Sequence, residues 1–150
     1  MNGKERVLAH LAGQPVDHLP LMPITMMFAA DQIGALYGRY ATDYRVMVEA
    51  QLRTAEKYGF DYVSAISCPT READDAGAQV RYYADQPPAI DEVNALLADK
   101  AALAALTLPD PREGRRMSDR ICALEAFKRE VGNDRLIEGW VEGPCAEAAD

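Results

Sequence analysis

The sequence predicts an α/β fold in which helices alternate with the strands of a parallel sheet. Three observations carry that prediction. An amphipathic stretch over residues 42–58 runs through Gly59 into the β-rich run Phe60-Asp61-Tyr62-Val63-Ser64-Ala65-Ile66-Ser67. A second, over residues 118–131, runs through Gly132 into Leu136-Ile137-Glu138-Gly139-Trp140-Val141-Glu142. A long helix feeding a short strand through a tight turn is the repeating unit of α/β folds. The composition, 49% hydrophobic and 27% charged, leaves enough apolar surface to build a core around such units.

Taken in order, residues 3–13 read as a first helix, with Val7, Leu8 and Leu11 at helical spacing and Gly13 as its stop. Pro15 and Pro20 bracket a linker. Leu19-Pro20-Leu21-Met22-Pro23-Ile24 then reads as a buried first strand, placed over residues 19–26, although a ladder tolerates its prolines poorly. Residues 28–37 are expected to be helical as far as Gly38. In the long helix that follows, Thr42 is the expected N-cap, and Tyr44, Met47, Val48, Leu52, Ala55 and Tyr58 form the apolar face.

After the second strand, residues 69–78 read as a polar loop containing Arg71-Glu72, Val80 to Tyr83 as a small extra strand, and Gln86-Pro87-Pro88 as a rigid linker. Asp91 is expected to cap a helix reaching Ala98, with a second short helix to Leu106. Pro109, Pro111 and Gly114 break the chain. Ser118 is expected to cap the helix that ends at Val131, burying Ile121, Leu124, Phe127 and Val131. The third strand spans residues 136–142, and a helix begins at Cys145.

Charge excludes some functions. With a net charge of −8, the chain repels phosphate backbones and anionic membrane surfaces, so no nucleic-acid or membrane partner is expected. Arg115-Arg116 is the densest basic cluster, and it makes no patch. No run approaches the roughly 18 apolar residues of a membrane span, and the N-terminus lacks a secretion signal's apolar segment. Cys68, Cys122 and Cys145 are odd in number and far apart, which reads as reduced thiols in a cytoplasmic protein rather than a disulfide framework or zinc knuckle. His10 and His18 stand outside any ligand spacing, so no metal site is expected in this segment.

Strands near 19–26, 61–67 and 136–142 give about three parallel strands with helical crossovers. Parallel strands need cover on both faces, and a sheet this small leaves open edges. A closed eight-stranded barrel takes about 250 residues. Ala146-Glu147-Ala148-Ala149-Asp150 also carries no helix stop. The expectation is one partial domain over residues 1–150, the N-terminal portion of a (β/α)8 TIM-type barrel that continues beyond 150. Its open edges would favour self-association or a homo-oligomer. A complete small three-layer α/β domain is the alternative.

Several ordered motifs resemble one superfamily. The opening Lys4-Glu5-Arg6-Val7-Leu8-Ala9-His10-Leu11-Ala12-Gly13-Gln14-Pro15-Val16-Asp17-His18-Leu19-Pro20 is similar to the start of the uroporphyrinogen decarboxylase and corrinoid methyltransferase superfamily. Gly59-Phe60-Asp61, Arg71-Glu72-Ala73, Gly77-Ala78-Gln79-Val80 and Glu138-Gly139-Trp140-Val141-Glu142-Gly143-Pro144 continue the resemblance in the right order. It implies one of two activities. The decarboxylases carry an arginine pair after the first strand for substrate carboxylates, since a guanidinium fork matches a carboxylate. Here that stretch is Pro23-Ile24-Thr25-Met26-Met27-Phe28-Ala29-Ala30, and the next arginine is Arg39. They also place an Asp after the second strand to accept pyrrole N–H groups, where this sequence has Ile66-Ser67-Cys68, and a thiol is a weak acceptor.

The resemblance therefore implies the methyltransferase branch, which moves a methyl group between a corrinoid protein and a thiol or folate-type acceptor. Its thiol-using members hold zinc through a His-x-Cys pair and a distant Cys in their C-terminal half. A corrinoid partner, and zinc elsewhere in the full-length protein, follow from that resemblance, with no cofactor held by this segment. A decarboxylase of altered substrate choice and a non-catalytic binding or structural module are the other readings.

In barrels the chemistry gathers at the C-terminal ends of the strands. That nominates Thr25 and Met26 after the first strand, Cys68, Arg71 and Glu72 after the second, and Glu142 after the third, all as substrate-pocket residues. Each has a plainer reading: Met26 with Met22 and Met27 as core, Cys68 as a buried spectator, Arg71-Glu72 as a surface pair, and Trp140 as core packing. No residue is assigned to catalysis.

Overall fold

A computed structural model describes residues 1–147. Helix α1 (Gly3–Leu11) opens with a reciprocal cap: the Asn2 side chain accepts from the Glu5 amide at 2.9 Å, and Glu5 accepts from the Asn2 amide at 3.0 Å. The next three helices are α2 (Met26–Gln32), α3 (Tyr37–Thr42) and α4 (Tyr44–Tyr58). The single helix expected over residues 28–37 is thus two helices. Gly34, at φ +66°, takes a backbone conformation that breaks the run between them. Asp43, not Thr42, caps α4, accepting from the Arg45 amide at 3.1 Å. The Thr42 hydroxyl instead donates back to the Gly38 carbonyl at 2.7 Å within α3. Gly59 ends α4 at φ +70°.

Strand β1 (Tyr62–Ser64) is buried along its whole length. The next elements are helix α5 (Arg71–Ala76), strands β2 (Val80–Arg81) and β3 (Ala89–Ile90), and helices α6 (Lys100–Ala105) and α7 (Arg115–Val131). Strand β4 (Leu136–Glu138) and helix α8 (Pro144–Glu147) complete the described chain. β4 pairs in parallel with β1 in the register Tyr62↔Leu136, Val63↔Ile137 and Ser64↔Glu138. β2 and β3 form a short antiparallel pair.

The α/β class and its parallel pairing are as the sequence predicts; several details differ. Residues 19–25 form no ladder strand. Their link to β1 is the Asp61 amide donating to the Leu21 carbonyl at 3.0 Å, with the Leu21 amide returning to the Asp61 carboxylate at 2.8 Å. Pro20 and Pro23 remove the donors a ladder needs, and Leu19, Leu21 and Ile24 are exposed rather than buried. β1 and β4 are each three residues long, shorter than expected.

Where a polar loop was expected after β1, α5 forms, with Glu72 and Asp74 in its first turn and Gly77 closing it at φ +105°. The helix expected to reach Ala98 is a single 3-10 turn, Glu92–Asn94. Asp91 does cap it, but Ala95 leaves in an extended conformation, so no helix propagates. α7 starts before Ser118. The Asp75 carboxylate accepts from the Arg116 and Met117 amides at 3.0 and 2.7 Å, so the cap comes from another helix. The final helix expected from Cys145 begins at Pro144, and its continuation past 147 lies outside the described residues.

The core lies where α2, α3, α4 and α7 close on β1. Tyr37, Tyr40, Met47, Val63, Ala123 and Phe127 are fully enclosed there. At the opposite end of β1, Asp61 is paired with Arg6 of α1, whose Nε also donates to Asp17 at 2.6 Å. That network anchors the N-terminal helix to the sheet.

Candidate functional site

Beyond Ser64 the chain leaves the sheet but stays buried, so its backbone groups need other partners. Side chains of the helical layer supply them. The Tyr40 hydroxyl donates to the Ile66 carbonyl at 3.1 Å, and the Tyr37 hydroxyl donates to the Ser67 carbonyl. Gln51 completes the bracket: its amide donates to Tyr40 Oη at 2.7 Å and to Thr25 Oγ1 at 3.2 Å, while its carbonyl oxygen accepts from the Ser64 amide at 3.3 Å. Burial pushes the Tyr40 phenol up to about 12, so it serves as a neutral donor. Thr25 belongs to this bracket, and Met26 packs against the core beside it.

The bracket fixes Cys68 in an electropositive pocket. Its Sγ accepts from Arg116 Nη2 at 3.0 Å and lies 3.5 Å from Thr70 Oγ1. Burial pushes the thiol's pKa up, but the Arg116 charge and the hydrogen bonds from Thr70, Ser67 and Arg116 outweigh it. The thiol is held below its ordinary value. Arg116 is only 2% exposed and also donates to Tyr82 Oη at 2.7 Å and to the Ala41 carbonyl at 3.2 Å. Arg120 shares that carbonyl at 3.2 Å and pairs with Asp119; burial pulls its pKa down.

A second chain of contacts joins the ends of the two parallel strands. Arg71 grips its neighbour Glu72, with Nε 3.0 Å from Oε1, and its Nη2 donates to the Trp140 carbonyl at 2.6 Å. Trp140 Nε1 donates to Glu142 Oε1 at 2.8 Å. Arg71 Nη1 and Glu72 Oε2 are buried and have no partner among the described residues. Glu72 lines a cavity of about 710 Å³. The other described residues of its wall are apolar, including Ala76, Leu97, Leu106, Met117 and Pro144.

The nominated residues fall into three groups. Arg71, Glu72 and Glu142 are linked through Trp140, which is half-buried and bonded rather than simple core. Cys68 stands apart from them with Arg116, and Thr25 and Met26 belong to the helical layer. Sequence reasoning missed Arg116, Arg120, Tyr37, Tyr40 and Gln51. The one signal for Arg116 was the Arg115-Arg116 pair. The helix splits it, leaving the Arg115 side chain 68% exposed while Arg116 turns inward.

Zinc finds no fitting donors here. Cys68 is buried beside an arginine, Cys122 is half-buried and Cys145 exposed, and no three His, Cys, Asp or Glu side chains gather as a metal site among the described residues. No helix among them is long and apolar enough to cross a membrane.

Comparison with known proteins places these features in context. Residues 2–150 match the family model described as uroporphyrinogen decarboxylase (URO-D). The chain is 27% identical over 152 aligned residues to the methylcobamide:CoM methyltransferase MtaA of Methanosarcina barkeri, and the same holds for that protein from M. barkeri strain Fusaro. These alignments cover 98% of this chain but 44% of each relative, so the chain spans less than half their length. A solved methyltransferase structure from Methanosarcina mazei superposes with a TM-score of 0.81 at 24% identity, over 100% of this chain and 45% of that one. The likeness bears out the fold class, a portion of a TIM-type α/β barrel.

Proposed function

Because the chain belongs to the uroporphyrinogen decarboxylase family, we propose that it serves in corrinoid-dependent methyl transfer, with residues 1–150 forming part of the barrel that binds the substrates. A corrinoid protein would supply the methyl group and a thiol or folate-type molecule would accept it. One observation carries this reading over decarboxylation: among the described residues, the cavity near the strand ends is walled by apolar side chains and one acid, with no Lys, Arg or His in its lining. A polycarboxylate substrate needs guanidinium or ammonium groups facing it. Arg71, Arg116 and Arg120 are buried and already paired with protein groups, and Arg39 is exposed and paired with Asp43. The named methyltransferase relatives support the same branch.

In this reading Arg71 holds the ends of the two strands at a fixed separation through Glu72 and the Trp140 carbonyl. Thr25 and Met26 brace the helical layer behind them. Cys68 sets the local charge with Arg116 rather than acting as a nucleophile, since it is 2% exposed.

The test uses the full-length protein with free methylcobalamin and a thiol, followed by loss of the methylcobalamin visible spectrum and the mass of the methylated thiol. A parallel incubation with uroporphyrinogen is read by mass. Demethylation with intact uroporphyrinogen is expected. Loss of carboxyl groups from uroporphyrinogen, with methylcobalamin unchanged, would overturn the reading in favour of a decarboxylase.

A further inference from the structure

We propose that the outer face of α4 is an interface between two copies of this chain, paired antiparallel about a twofold axis. On that face Arg45, Glu49, Arg53 and Glu56 are all exposed and fall in one stripe, since positions three and four apart share a side of a helix. Their signs run plus, minus, plus, minus. From the other end the order is minus, plus, minus, plus. An antiparallel second copy therefore sets every charge against its opposite in a single register, centred between Glu49 and Arg53. Arg45 faces the partner's Glu56, Glu49 faces the partner's Arg53, and the axis repeats both pairs. A twofold interface requires a surface that is complementary to itself in this way. A parallel copy in register would set like against like.

The surroundings favour this face over the rest of the molecule. The chain carries a net charge of −8, so two copies repel one another in most orientations. The groove of about 500 Å³ between α4 and α7 is balanced instead, with Arg45, Arg53 and Arg129 against Glu49, Glu56 and Glu130. Val48, Leu52 and the small Ala126 also line it, which puts apolar groups inside a charged rim, as in protein interfaces generally. Arg45 pairs with Asp43 at 2.9 Å and Arg53 with Glu49 at 3.9 Å within the chain. Both arginines are nonetheless largely exposed, and a guanidinium has further N–H donors to give.

The experiment follows the sedimentation velocity of the full-length protein over a series reaching about 100 µM, where even a weak dimer is populated. Wild-type protein should dimerise, and the dimer should loosen about tenfold in high salt, which screens exposed charge pairs. Arg45→Glu and Glu56→Arg should each weaken it by about tenfold or more, because like charges then face each other across the seam. Mixed in equal amounts, these two variants should form a heterodimer. The double variant Arg45→Glu/Glu56→Arg should regain the homodimer. Arg45 and Glu56 stand about 16 Å apart along α4, too far to pair within one chain, so recovery reports contact between copies.

Wild-type protein that stays monomeric throughout the series would overturn the proposal. A dimer indifferent to both charge reversals would lie on another surface, such as the open sheet edges, and would overturn it equally. Dissociation with no recovery in either the mixture or the double variant would overturn the antiparallel pairing.

Discussion

The two ends of β1 solve the same problem differently. At its start, Asp61 accepts from Arg6 and from the Leu21 amide, and Arg6 spends its remaining donors on Asp17 and the Met1 carbonyl. Every buried polar side-chain atom of that network among the described residues has a partner. At the far end, Arg71, Glu72, Arg116 and Arg120 each keep one buried atom unpartnered. A finished network holds a fold together, whereas an unfinished one carries a standing energetic penalty that a ligand can relieve. The contrast separates the N-terminal anchor from the candidate site although both are built from Arg, Asp and Glu.

The largest expected effect should come from breaking the finished end. Asp61→Asn leaves Arg6 half-neutralised and weakens the tie to Leu21. Removing one partner of a buried ion pair costs about 3–5 kcal/mol, and because Asp17 remains, the lower limit applies. Chemical denaturation should show a loss of about 3 kcal/mol. At the unfinished end, Arg116→Met removes a buried charge that is incompletely satisfied and keeps most of the volume. Its cost should be no more than about 1–2 kcal/mol, since replacing a buried charge by a well-packed apolar side chain is often near neutral. Equal losses in the two variants would dissolve the distinction.

The smallest effect is the most specific. Cys68 has a depressed thiol pKa in the fold, so its ionisation contributes stability that is fully present above the unfolded thiol's pKa and is lost as pH falls through the folded value. The melting temperature of wild type should therefore rise relative to Cys68→Ser as pH is raised toward the unfolded thiol's value. Arg116→Met should erase that dependence. A pH-independent difference between wild type and Cys68→Ser would remove the electropositive account of this pocket.

These contrasts also show what a sequence exposes. The alternation of long amphipathic helices with short β-rich runs, each joined through a glycine, made the α4–β1 and α7–β4 units legible as local signals; Gly59 turns left-handed after α4, whereas Gly132 ends α7 in a right-handed conformation. The first strand was misread because hydrophobicity outweighed two prolines that remove ladder donors. α5 was hidden because a short polar helix has no apolar stripe; Thr70, Glu72 and Gly77 mark its ends only in retrospect. Of the site, Cys68, Arg71, Glu72 and Glu142 were reachable from their positions after strands. Arg116, Gln51 and Tyr40 were not, since their roles depend on partners 48, 26 and 26 residues away in sequence. No local pattern distinguishes an inward-facing arginine from the exposed one beside it.

The cap that Asp75 places on α7 has an evolutionary consequence. It pins residues 75 and 116 at the two ends of one excursion, which contains the β2–β3 pair, α6 and most of the cavity wall. Lengthening a flexible loop whose ends are already held is inexpensive, about 0.6 kcal/mol for each doubling. The wall over Glu72 can thus be enlarged, shortened or rewritten between relatives while the strands and their anchor stay in register. Ligand choice would diversify in this excursion, on a scaffold that does not have to change with it.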